Sequence, residues 1–451
     1  MEKYRPSETE SEIKTMKAPR YKRGFGAGQI VAALLLATLI MGCGKAKQPD
    51  VEPLQVEREN GTEVLAEADG EVFLNEEQTT EQTTEQTTEQ ATEQSSNKEG
   101  EDDNPAEEES TLTLIMAGDV LLHTPVSDSG LMADGTYNYD HLFANVKESI
   151  ENADIALVNQ EVILGGRDMG LSGYPGFNGA YEVGDALSKA GFDVVLHATN
   201  HALDKGKKGI LNCLAFWQNS HPQMKVVGIN DSSEAQEEDF AVIEKAGIKV
   251  AVLNYTYGTN GIEMPQDAPY LVNMLDKEQI KRDVLNAKER ADFIVVCPHW
   301  GIEYQHVQSK EQEEMAKYLS DLGVDLIIGT HPHVIQPVEW VEGEGGSKTL
   351  VYYSLGNFVN ATSGTGDGVA DRMLGAMAQV TLVRDEKGTV SIQSYGAKPL
   401  VSHVQSGPGG ITVYPLGEYP EEVAMQNEII SQDSHFSIAY LKQVWNQVMG
   451  K

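Results

Sequence analysis

Cysteine is scarce in this sequence, whose 451 residues include only Cys43, Cys213 and Cys297. This set resembles neither a disulfide framework nor a zinc knuckle, so we expect a domain without disulfides. Basic residues are also few: 34 lysines and arginines accompany 69 aspartates and glutamates, for a formal net charge of −35. A chain this acidic repels nucleic acid and has no basic stripe to offset the charge, so we predict no nucleic-acid partner.

Long hydrophobic runs are missing as well. The most apolar stretch, Ile30–Met41, follows several basic residues and is typical of a signal-peptide core rather than a full membrane span. It ends Leu39-Ile40-Met41-Gly42-Cys43, which resembles a bacterial lipoprotein cleavage box except that Met41 replaces the usual small residue. We therefore predict that residues 1–43 are a signal peptide with Cys43 lipidated, or else an uncleaved membrane anchor. Both alternatives place the protein at the cell membrane with its domain extracellular, because the basic flank stays inside.

Residues 44–110 form a polar, acidic stretch with a net charge of −17. A four-residue repeat begins at Glu77-Gln78-Thr79-Thr80 and recurs through Glu93-Gln94. This composition has little apolar surface to bury, so we predict a disordered linker that like charges keep extended. It is either a spacer between membrane and domain or unselected sequence, and we expect no catalysis in it.

From Thr111 onward, short apolar runs alternate with amphipathic stretches, which is typical of an α/β domain with layered sheets. The predicted strands are Leu112–Ala117, Ile155–Val158, Val194–His197, Val250–Tyr255, Phe293–Cys297, Leu326–Ile328, Leu350–Tyr353, Ala378–Val383 and Val390–Ala397. Capping patterns predict helices after Asp276 and Ser309, and Gly323 predicts the end of the second. Asp385-Glu386-Lys387-Gly388 predicts a hairpin. We place the main domain at 111–405 and a C-terminal extension that packs on it at 406–451.

Five predicted strands end beside side chains that suit a metal ion. These side chains are Asp119, Glu161, Asn200, His299, His331 and His333. The carboxyl ends of the strands form the binding edge of an open α/β sheet, so we expect the side chains to meet at one mouth. Mixed imidazole, carboxylate and amide ligands favour one or two manganese, iron or zinc ions. Such ions bind the oxygens of a phosphoryl group and lower the pKa of bound water toward 7.

Each residue also has a plainer interpretation. Asp119 after Gly118 is commonly a turn or cap residue, Asn200 is equally suited to loop hydrogen bonding, and His299 to packing in the core. His331-Pro332-His333 is the most specific pattern, because proline stiffens the loop between two imidazoles. The recurrence at five strand ends is what favours a metal site.

Other candidates at the same edge are weaker. Asp204 is predicted to cap the helix that follows it, with a role in the site as the alternative. Glu303 and Tyr304 line the mouth or anchor the loop after His299. Ser354 and Asn357 bind substrate oxygens or form a turn. Ser354 lacks the surroundings of a nucleophile elbow, which argues against a serine hydrolase.

Several ordered motifs resemble the CapA family of capsule synthesis and poly-γ-glutamate biosynthesis proteins, over about Leu112 to Val401. The matching segments are Gly118-Asp119-Val120-Leu121-Leu122, Asn159-Gln160-Glu161, Thr199-Asn200-His201-Ala202-Leu203-Asp204-Lys205-Gly206, His299-Trp300-Gly301-Ile302-Glu303-Tyr304, Gly329-Thr330-His331-Pro332-His333-Val334-Ile335-Gln336-Pro337 and Tyr353-Ser354-Leu355-Gly356-Asn357-Phe358-Val359.

The CapA family in turn resembles calcineurin-like metallophosphoesterases. This likeness implies a four-layer αββα sandwich, the same six metal ligands, and His201 as the imidazole that assists the leaving group. The sequence departs from the phosphoesterase pattern at Leu121, where a second histidine is usual and His123 has the wrong spacing. Glu161 also stands where those enzymes use aspartate, and Gln160 replaces the usual CapA leucine. One of two metal positions is therefore in doubt.

Two functions follow from the resemblance. The first is a metal-dependent hydrolase that acts on a phosphoester or an envelope polymer. The second is a non-enzymatic subunit of a capsule or poly-γ-glutamate assembly and export complex, whose partners are the other synthesis proteins and an anionic polymer. A surface-displayed binding module is a third alternative. The acidity of the domain argues against simple electrostatic binding of polyglutamate, unless cations bridge the like charges.

Overall fold

In the computed structural model, the described residues are 72–74 and 110–450. The predictions for residues 1–43, including lipidation of Cys43, lie outside these residues, as does most of the predicted linker. The exception in the linker is Val72–Leu74, which is a strand paired with residues 395–397. The prediction of a linker without structure differs from the structure at these three residues, because their backbone completes the hydrogen bonding of a sheet edge.

The strands are β1 (Val72–Leu74), β2 (Ser110–Val120), β3 (Ile155–Asn159), β4 (Val194–Leu196), β5 (Lys225–Val227), β6 (Ala241–Lys245), β7 (Ile248–Thr256), β8 (Phe293–His299), β9 (Leu326–Ile328), β10 (Val338–Glu342), β11 (Lys348–Tyr352), β12 (Asn357–Val359), β13 (Leu374–Arg384), β14 (Val390–Val404) and β15 (Ile411–Pro415). The α-helices are α1 (Thr124–Ser129), α2 (Lys147–Glu151), α3 (Tyr181–Ala190), α4 (Gly206–Ser220), α5 (Ser233–Glu237), α6 (Lys277–Lys288), α7 (Lys310–Asp321), α8 (Glu421–Ala424) and α9 (Ile438–Met449). The predicted strands all lie within or overlap these.

The strands form two sheets. In the first, the order is β1-β14-β13-β2-β3-β4-β5, with β12 beside β2 and β15 beside β14. Strands β2 to β5 run parallel, whereas β13, β14 and β15 are antiparallel to their neighbours. In the second sheet, the order is β10-β11-β9-β8-β7-β6, with a parallel centre and an antiparallel strand at each edge. The predicted mixture of parallel strands and late antiparallel strands is confirmed.

The alternation of side chains along the second sheet shows what covers each face. Val250 and Val252 belong to the core cluster that includes the first sheet, whereas Ala251 and Leu253 pack with α6 and α7. Between the sheets, Cys297 Sγ lies 3.7 Å from Met116 Sδ. Helices α3 and α4 contribute to the core of the first sheet. The packing is thus helix, sheet, sheet, helix, and the predicted α/β fold with layered sheets is confirmed.

Two helix starts follow the sequence. Asp276 accepts a hydrogen bond from Gln279 N (2.9 Å) at the start of α6, and Ser309 with Gln312 forms a complete capping box at α7. Gly323, with φ +72°, follows the end of α7 as predicted. The prediction that Asp204 caps the helix after it is wrong. Residue 205 precedes α4 without a side-chain cap, because the Asp204 carboxylate is turned to other partners.

In the predicted C-terminal extension, residues 406–450 add to the same core. Strand β15 pairs with β14, and α9 buries Leu441, Val444 and Trp445. Over the part of the chain that the structure describes, no helix combines the length and the apolar character needed to span a membrane.

Candidate metal site

The predicted ligands approach one another where the strands of both sheets end. Asp119 lies near the end of β2, Glu161 follows β3, and His299 is the last residue of β8. His333 Nδ1 lies 3.2 Å from an Asp119 carboxylate oxygen, and His333 Nε2 lies 3.6 Å from Glu161 Oε1. His299 Nε2 lies 3.8 Å from the same Glu161 oxygen. The first sheet therefore supplies carboxylates and the second supplies imidazoles.

Their ligand atoms form overlapping groups, in each of which all atoms lie within 4.8 Å of one another. The groups are Glu161 with His299 and His331, Asp119 with Glu161 and His333, and Glu303 with His331 and His333. Asn200 joins them through its Oδ1, which lies 3.0 Å from His299 Nε2. Glu161, His331 and His333 each belong to two of the groups, so the groups form one continuous cluster of side chains that could hold a divalent cation.

Glu161 is the residue that fits a cation best. Its carboxylate is fully buried, and neither of its oxygens has a hydrogen-bond partner among the described residues. A buried carboxylate without partners is costly unless a positive charge lies beside it. The donor set of carboxylate, amide and imidazole groups suits a divalent first-row metal, so these residues fit such an ion.

Two of the three histidines are in the protonation state of a metal ligand. Burial raises the pKa of Glu161 well above its usual value, and the nearby Asp119 carboxylate adds to the effect. Burial lowers the pKa of His299 and of His331, and neighbouring histidines lower both further. Both rings are therefore neutral, which is the state that binds metal. Burial alone would lower the pKa of His333, but the Glu161 and Asp119 carboxylates raise it to about 9, because they favour a positive charge there.

Three polar residues hold the ligands in position. Asn159 Nδ2 donates to Asp119 Oδ1 (2.8 Å), Thr330 Oγ1 lies 3.0 Å from His299 Nδ1, and Asn357 Oδ1 lies 3.1 Å from His333 Nδ1. Asn159 and Thr330 were not predicted as site residues from the sequence. Their positions could have identified them, because Asn159 ends β3 and Thr330 directly precedes His331. Such outer hydrogen bonds fix the orientation and tautomer of metal-binding groups.

The histidine pair on the loop after β9 has an unusual backbone. His331 has φ +99° and His333 has φ +59°, which are left-handed values that non-glycine residues rarely adopt. Such conformations cost about 1–3 kcal/mol each and concentrate at functional sites. The strained loop aims both rings at the carboxylates of the other sheet.

The predicted catalytic residue, His201, lies beside the ligand groups but belongs to none of them. Its Nδ1 is 2.7 Å from Asp204 Oδ2, and its ring packs edge-on against Phe177 at 4.6 Å. Asp204 also accepts a hydrogen bond from Phe177 N (2.7 Å). Asn260 Nδ2 lies 3.4 Å from His201 Nε2, and Asn260 Oδ1 accepts from Asn200 Nδ2 (3.2 Å). The structure thus joins His201 to Asp204 on one side and to a predicted ligand on the other.

The predicted substrate-binding residues occupy three different environments. Glu303 is exposed at the mouth, next to His331 and His333. Ser354 is completely buried, where its hydroxyl donates to Val334 O (2.8 Å) and accepts from Gly356 N (3.1 Å). This is the turn arrangement that the sequence analysis gave as its alternative. Asn357 is buried and connects His333 to the main chain of Arg372.

Three other residues named from the sequence, His123, Tyr304 and Leu121, are in no ligand group. Burial lowers the pKa of His123 to about 4, and the charges of His333, His201 and Arg372 contribute. Tyr304 lies with its ring 6.1 Å from that of His333. Leu121, where phosphoesterases carry a second histidine, is instead buried and its N donates to Val359 O (3.0 Å).

The fold and the site together define an α/β protein with a divalent-cation type of site at the strand ends. Comparison with known families is consistent with this class. Residues 113–362, more than half of the chain, match the family described as bacterial capsule synthesis protein PGA_cap. The chain belongs to this family, and the resemblance found in its motifs is confirmed.

Two relatives carry the CapA name. The PGA biosynthesis protein CapA of Bacillus subtilis (strain 168) is 32% identical over 174 residues, which are 38% of this chain and 44% of that protein. The capsule biosynthesis protein CapA of Bacillus anthracis is 29% identical over 265 residues, 56% of this chain and 60% of that protein. The chain therefore matches less than two thirds of the length of either relative.

Among solved structures, the 5'-nucleotidase precursor of Thermus thermophilus is similar with a TM-score of 0.40 and 17% identity, over 64% of this chain and 54% of that one. A putative 5'-nucleotidase of Staphylococcus aureus has a TM-score of 0.40 and 14% identity, over 75% of this chain and 58% of that one.

Proposed function

We propose that this protein is a metal-dependent phosphoesterase-type hydrolase of the bacterial cell envelope that acts in the production of a capsular polymer of the poly-γ-glutamate type. The observation that carries the proposal is the buried carboxylate of Glu161, which accepts no hydrogen bond and is surrounded by Asp119, His299, His331 and His333. Membership of the capsule synthesis family supports the role in polymer production. We further propose the calcineurin-like αββα sandwich, which the order of layers supports.

The residues have separate roles in this proposal. Asp119, Glu161, Asn200, His299, His331 and His333 hold one or two manganese, iron or zinc ions. A divalent cation bound there supplies a Lewis acid for the phosphoryl oxygens and activates water near neutral pH. His201 delivers a proton to the leaving oxygen, and Asp204 fixes the direction of that ring. Neighbouring Asn260 lies between His201 and Asn200 and keeps the two at a constant separation.

The location is part of the proposal. A signal or anchor segment at 1–43, with lipidation at Cys43 as the favoured form, and a linker at 44–110 would hold the domain outside the cell membrane. The proposed partners are the other proteins of capsule or poly-γ-glutamate synthesis and an anionic polymer, with no nucleic acid. Replacement of Cys43 by serine should abolish lipid labelling. It should leave the orientation in the membrane unchanged, because the basic residues before the apolar stretch set that orientation.

The second candidate function is a non-enzymatic subunit of the assembly and export complex. Leu121 favours it, because a buried aliphatic residue stands where a second histidine ligand would complete one cation position. In this alternative the site binds a single cation that organises the strand ends or holds a polymer terminus.

Metal analysis combined with a panel of phosphomonoesters and phosphodiesters distinguishes the candidates. We expect the purified protein to contain manganese, iron or zinc, and His331→Ala with His333→Ala to lose the metal and at least about 100-fold of any turnover. The matched control is His141→Ala with His221→Ala, which removes two histidines that belong to none of the candidate ligand groups. Bound metal without turnover on the whole panel favours the assembly subunit, and an unchanged metal content in the double variant contradicts the site itself.

A further inference from the structure

Arg372 projects from the turn Ala370–Met373 toward the mouth of the metal site. Its guanidinium carbon lies 3.9 Å from the centre of the Tyr304 ring, and that ring lies 6.1 Å from the ring of His333. Tyr304 is 45% exposed, so the stacked pair lines the opening rather than the core. A full positive charge therefore lies one aromatic ring away from a proposed metal ligand.

The guanidinium has no counter-ion in the described part of the chain. Three other arginines form ion pairs with carboxylates: Arg167 with Glu182, Arg282 with Asp283, and Arg384 with Asp292. For Arg372, no carboxylate of residues 110–450 lies within ion-pair distance and no acceptor there receives a hydrogen bond from its side chain. Its Nε is buried without a partner. Because this unpaired guanidinium lies beside the ligand groups, its donors are available to a molecule bound at the mouth.

The backbone that carries Arg372 is held from several directions. Its carbonyl oxygen accepts hydrogen bonds from Asn357 Nδ2 (2.9 Å) and Asn360 Nδ2 (3.4 Å). The carboxylate of the preceding residue, Asp371, lies 3.2 Å from His306 Nε2 and accepts a hydrogen bond from the Tyr440 hydroxyl (2.7 Å). Asn357 is the residue that also contacts His333 Nδ1. One amide side chain thus joins the backbone of Arg372 to the proposed ligand His333.

We propose that Arg372 is an anion-binding residue of this site and receives a phosphate or carboxylate group of the substrate. The inference rests on the proposed function in one respect, because it assigns that anion to the ligand of the metal site. Arginine suits the task, since its planar fork pairs with two oxygens at once.

Calorimetric titration of the manganese-loaded protein tests this without turnover. The probes are inorganic phosphate and glutarate, which represent a phosphoryl and a carboxylate source. We expect Arg372→Gln to weaken binding of at least one probe about tenfold or more, since a charge-assisted hydrogen bond contributes about that factor. Arg372→Lys should retain part of the affinity, because it keeps the charge and loses the fork. The probe that suffers the larger loss identifies the source of the anion.

Arg290→Gln is the matched control, because Arg290 stacks in a similar way on Phe240 (4.8 Å) in a different pocket of the fold. It should bind both probes as the wild type does. Metal content and melting temperature of Arg372→Gln must match the wild type for the comparison to stand, and Arg372→Lys gives a second measurement if they do not. Wild-type affinity for both probes in Arg372→Gln, or no binding of either probe by the wild type, overturns the inference. Failure of the hydrolase proposal is seen separately, as bound metal and bound anion without turnover.

Discussion

Asp204 is a residue whose place in the chain suggests one task and whose contacts show another. It stands where a helix cap is expected, yet its carboxylate lies 2.7 Å from His201 Nδ1 and accepts from the main chain of Phe177. Asn260 Nδ2 lies beside the same ring, 3.2 Å from Nδ1 and 3.4 Å from Nε2. A carboxylate bonded to Nδ1 keeps an imidazole in one orientation and one tautomer.

We predict that Asp204→Asn lowers kcat about 10- to 100-fold with little change in KM. The physical reason is that an amide can turn its NH2 group toward the ring, so it no longer fixes the direction and tautomer of His201. Steady-state kinetics on the substrate found in the phosphoester panel provide the measurement. Asp267→Asn, at an exposed ion pair with Lys207, serves as control. An unchanged kcat would show that Asp204 only anchors the loop.

At the scale of single elements, β2 reaches the site only because Gly118 is small. A Cβ placed on Gly118 would lie 2.0 Å from Gly356 O, and Asp119 N donates to that same oxygen (3.0 Å). The contact joins the end of β2 to the turn before β12, where Asn357 begins. The carboxylate of Asp119 is therefore positioned by close backbone approach at its neighbour.

Gly118→Ala should destabilise the domain by about 3 kcal/mol, because the clash is with backbone that has nowhere to move. Metal affinity should fall as well, since Asp119 moves with the strand. Urea unfolding followed by circular dichroism measures the first effect. Gly417→Ala, at a site with no atom within 4 Å of the added carbon, should stay within about 0.5 kcal/mol of the wild type. Equal stabilities for the two variants would contradict this account of β2.

A second element-scale feature ties the loop after β8 to the C-terminal helix. Burial lowers the pKa of His306, but its hydrogen bonds to Asp371 and Ile335 O outweigh burial and raise the pKa above its usual value. Asp371 in turn accepts from Tyr440 on α9. The contacts join three separate stretches of chain around one carboxylate.

The pH dependence of stability follows from this arrangement. Because the folded protein binds the His306 proton more tightly than the unfolded chain does, the contribution is full below the unfolded pKa and is lost as pH rises through the raised folded pKa. His306→Gln should therefore destabilise the protein most at about pH 5.5 and least at about pH 8.5, as measured by urea unfolding. In an Asp371→Asn background the same substitution should have little effect. If the destabilisation by His306→Gln instead increased with pH, the stated direction of the His306 pKa shift would be wrong.

On the scale of the whole molecule, the candidate site lies across the boundary between the two sheets. Asp119 and Glu161 belong to the first sheet, and His299, His331 and His333 to the second. A cation held by both sets joins the sheets, so its removal should affect global stability. Ligand binding at about 100 times the dissociation constant stabilises by about 2.7 kcal/mol.

We therefore predict that manganese or zinc raises the melting temperature of the wild type by several degrees and that a chelator reverses the increase. Glu161→Gln should lose most of this increment, yet its metal-free form should melt no lower than the metal-free wild type, because glutamine brings no charge into the core. Differential scanning calorimetry measures both. Glu311→Gln, on the exposed side of α7, is the control. An equal metal-dependent increment in Glu161→Gln would exclude its carboxylate as a ligand.

Much of this architecture was visible in the sequence because continuous apolar runs mark buried strands, and the residue after each run falls at the sheet edge. The convergence of Asp119, Glu161 and His299 followed from that regularity. Arg372 did not, since its importance depends on a partner that is distant in the chain, Tyr304. The left-handed backbone at His331 and His333 was equally hidden, because no local pattern distinguishes it from an ordinary loop.

The contact between Cys297 and Met116 lies along the strands that carry His299 and Asp119 to the site. Burial raises the pKa of the Cys297 thiol far above its usual value, and the thiolate is the form that alkylating reagents attack. In the folded protein this thiol is therefore unreactive toward alkylating reagents. A reagent can modify Cys297 only when the two sheets separate transiently. The rate of modification therefore reports how often the core directly beneath the ligands opens.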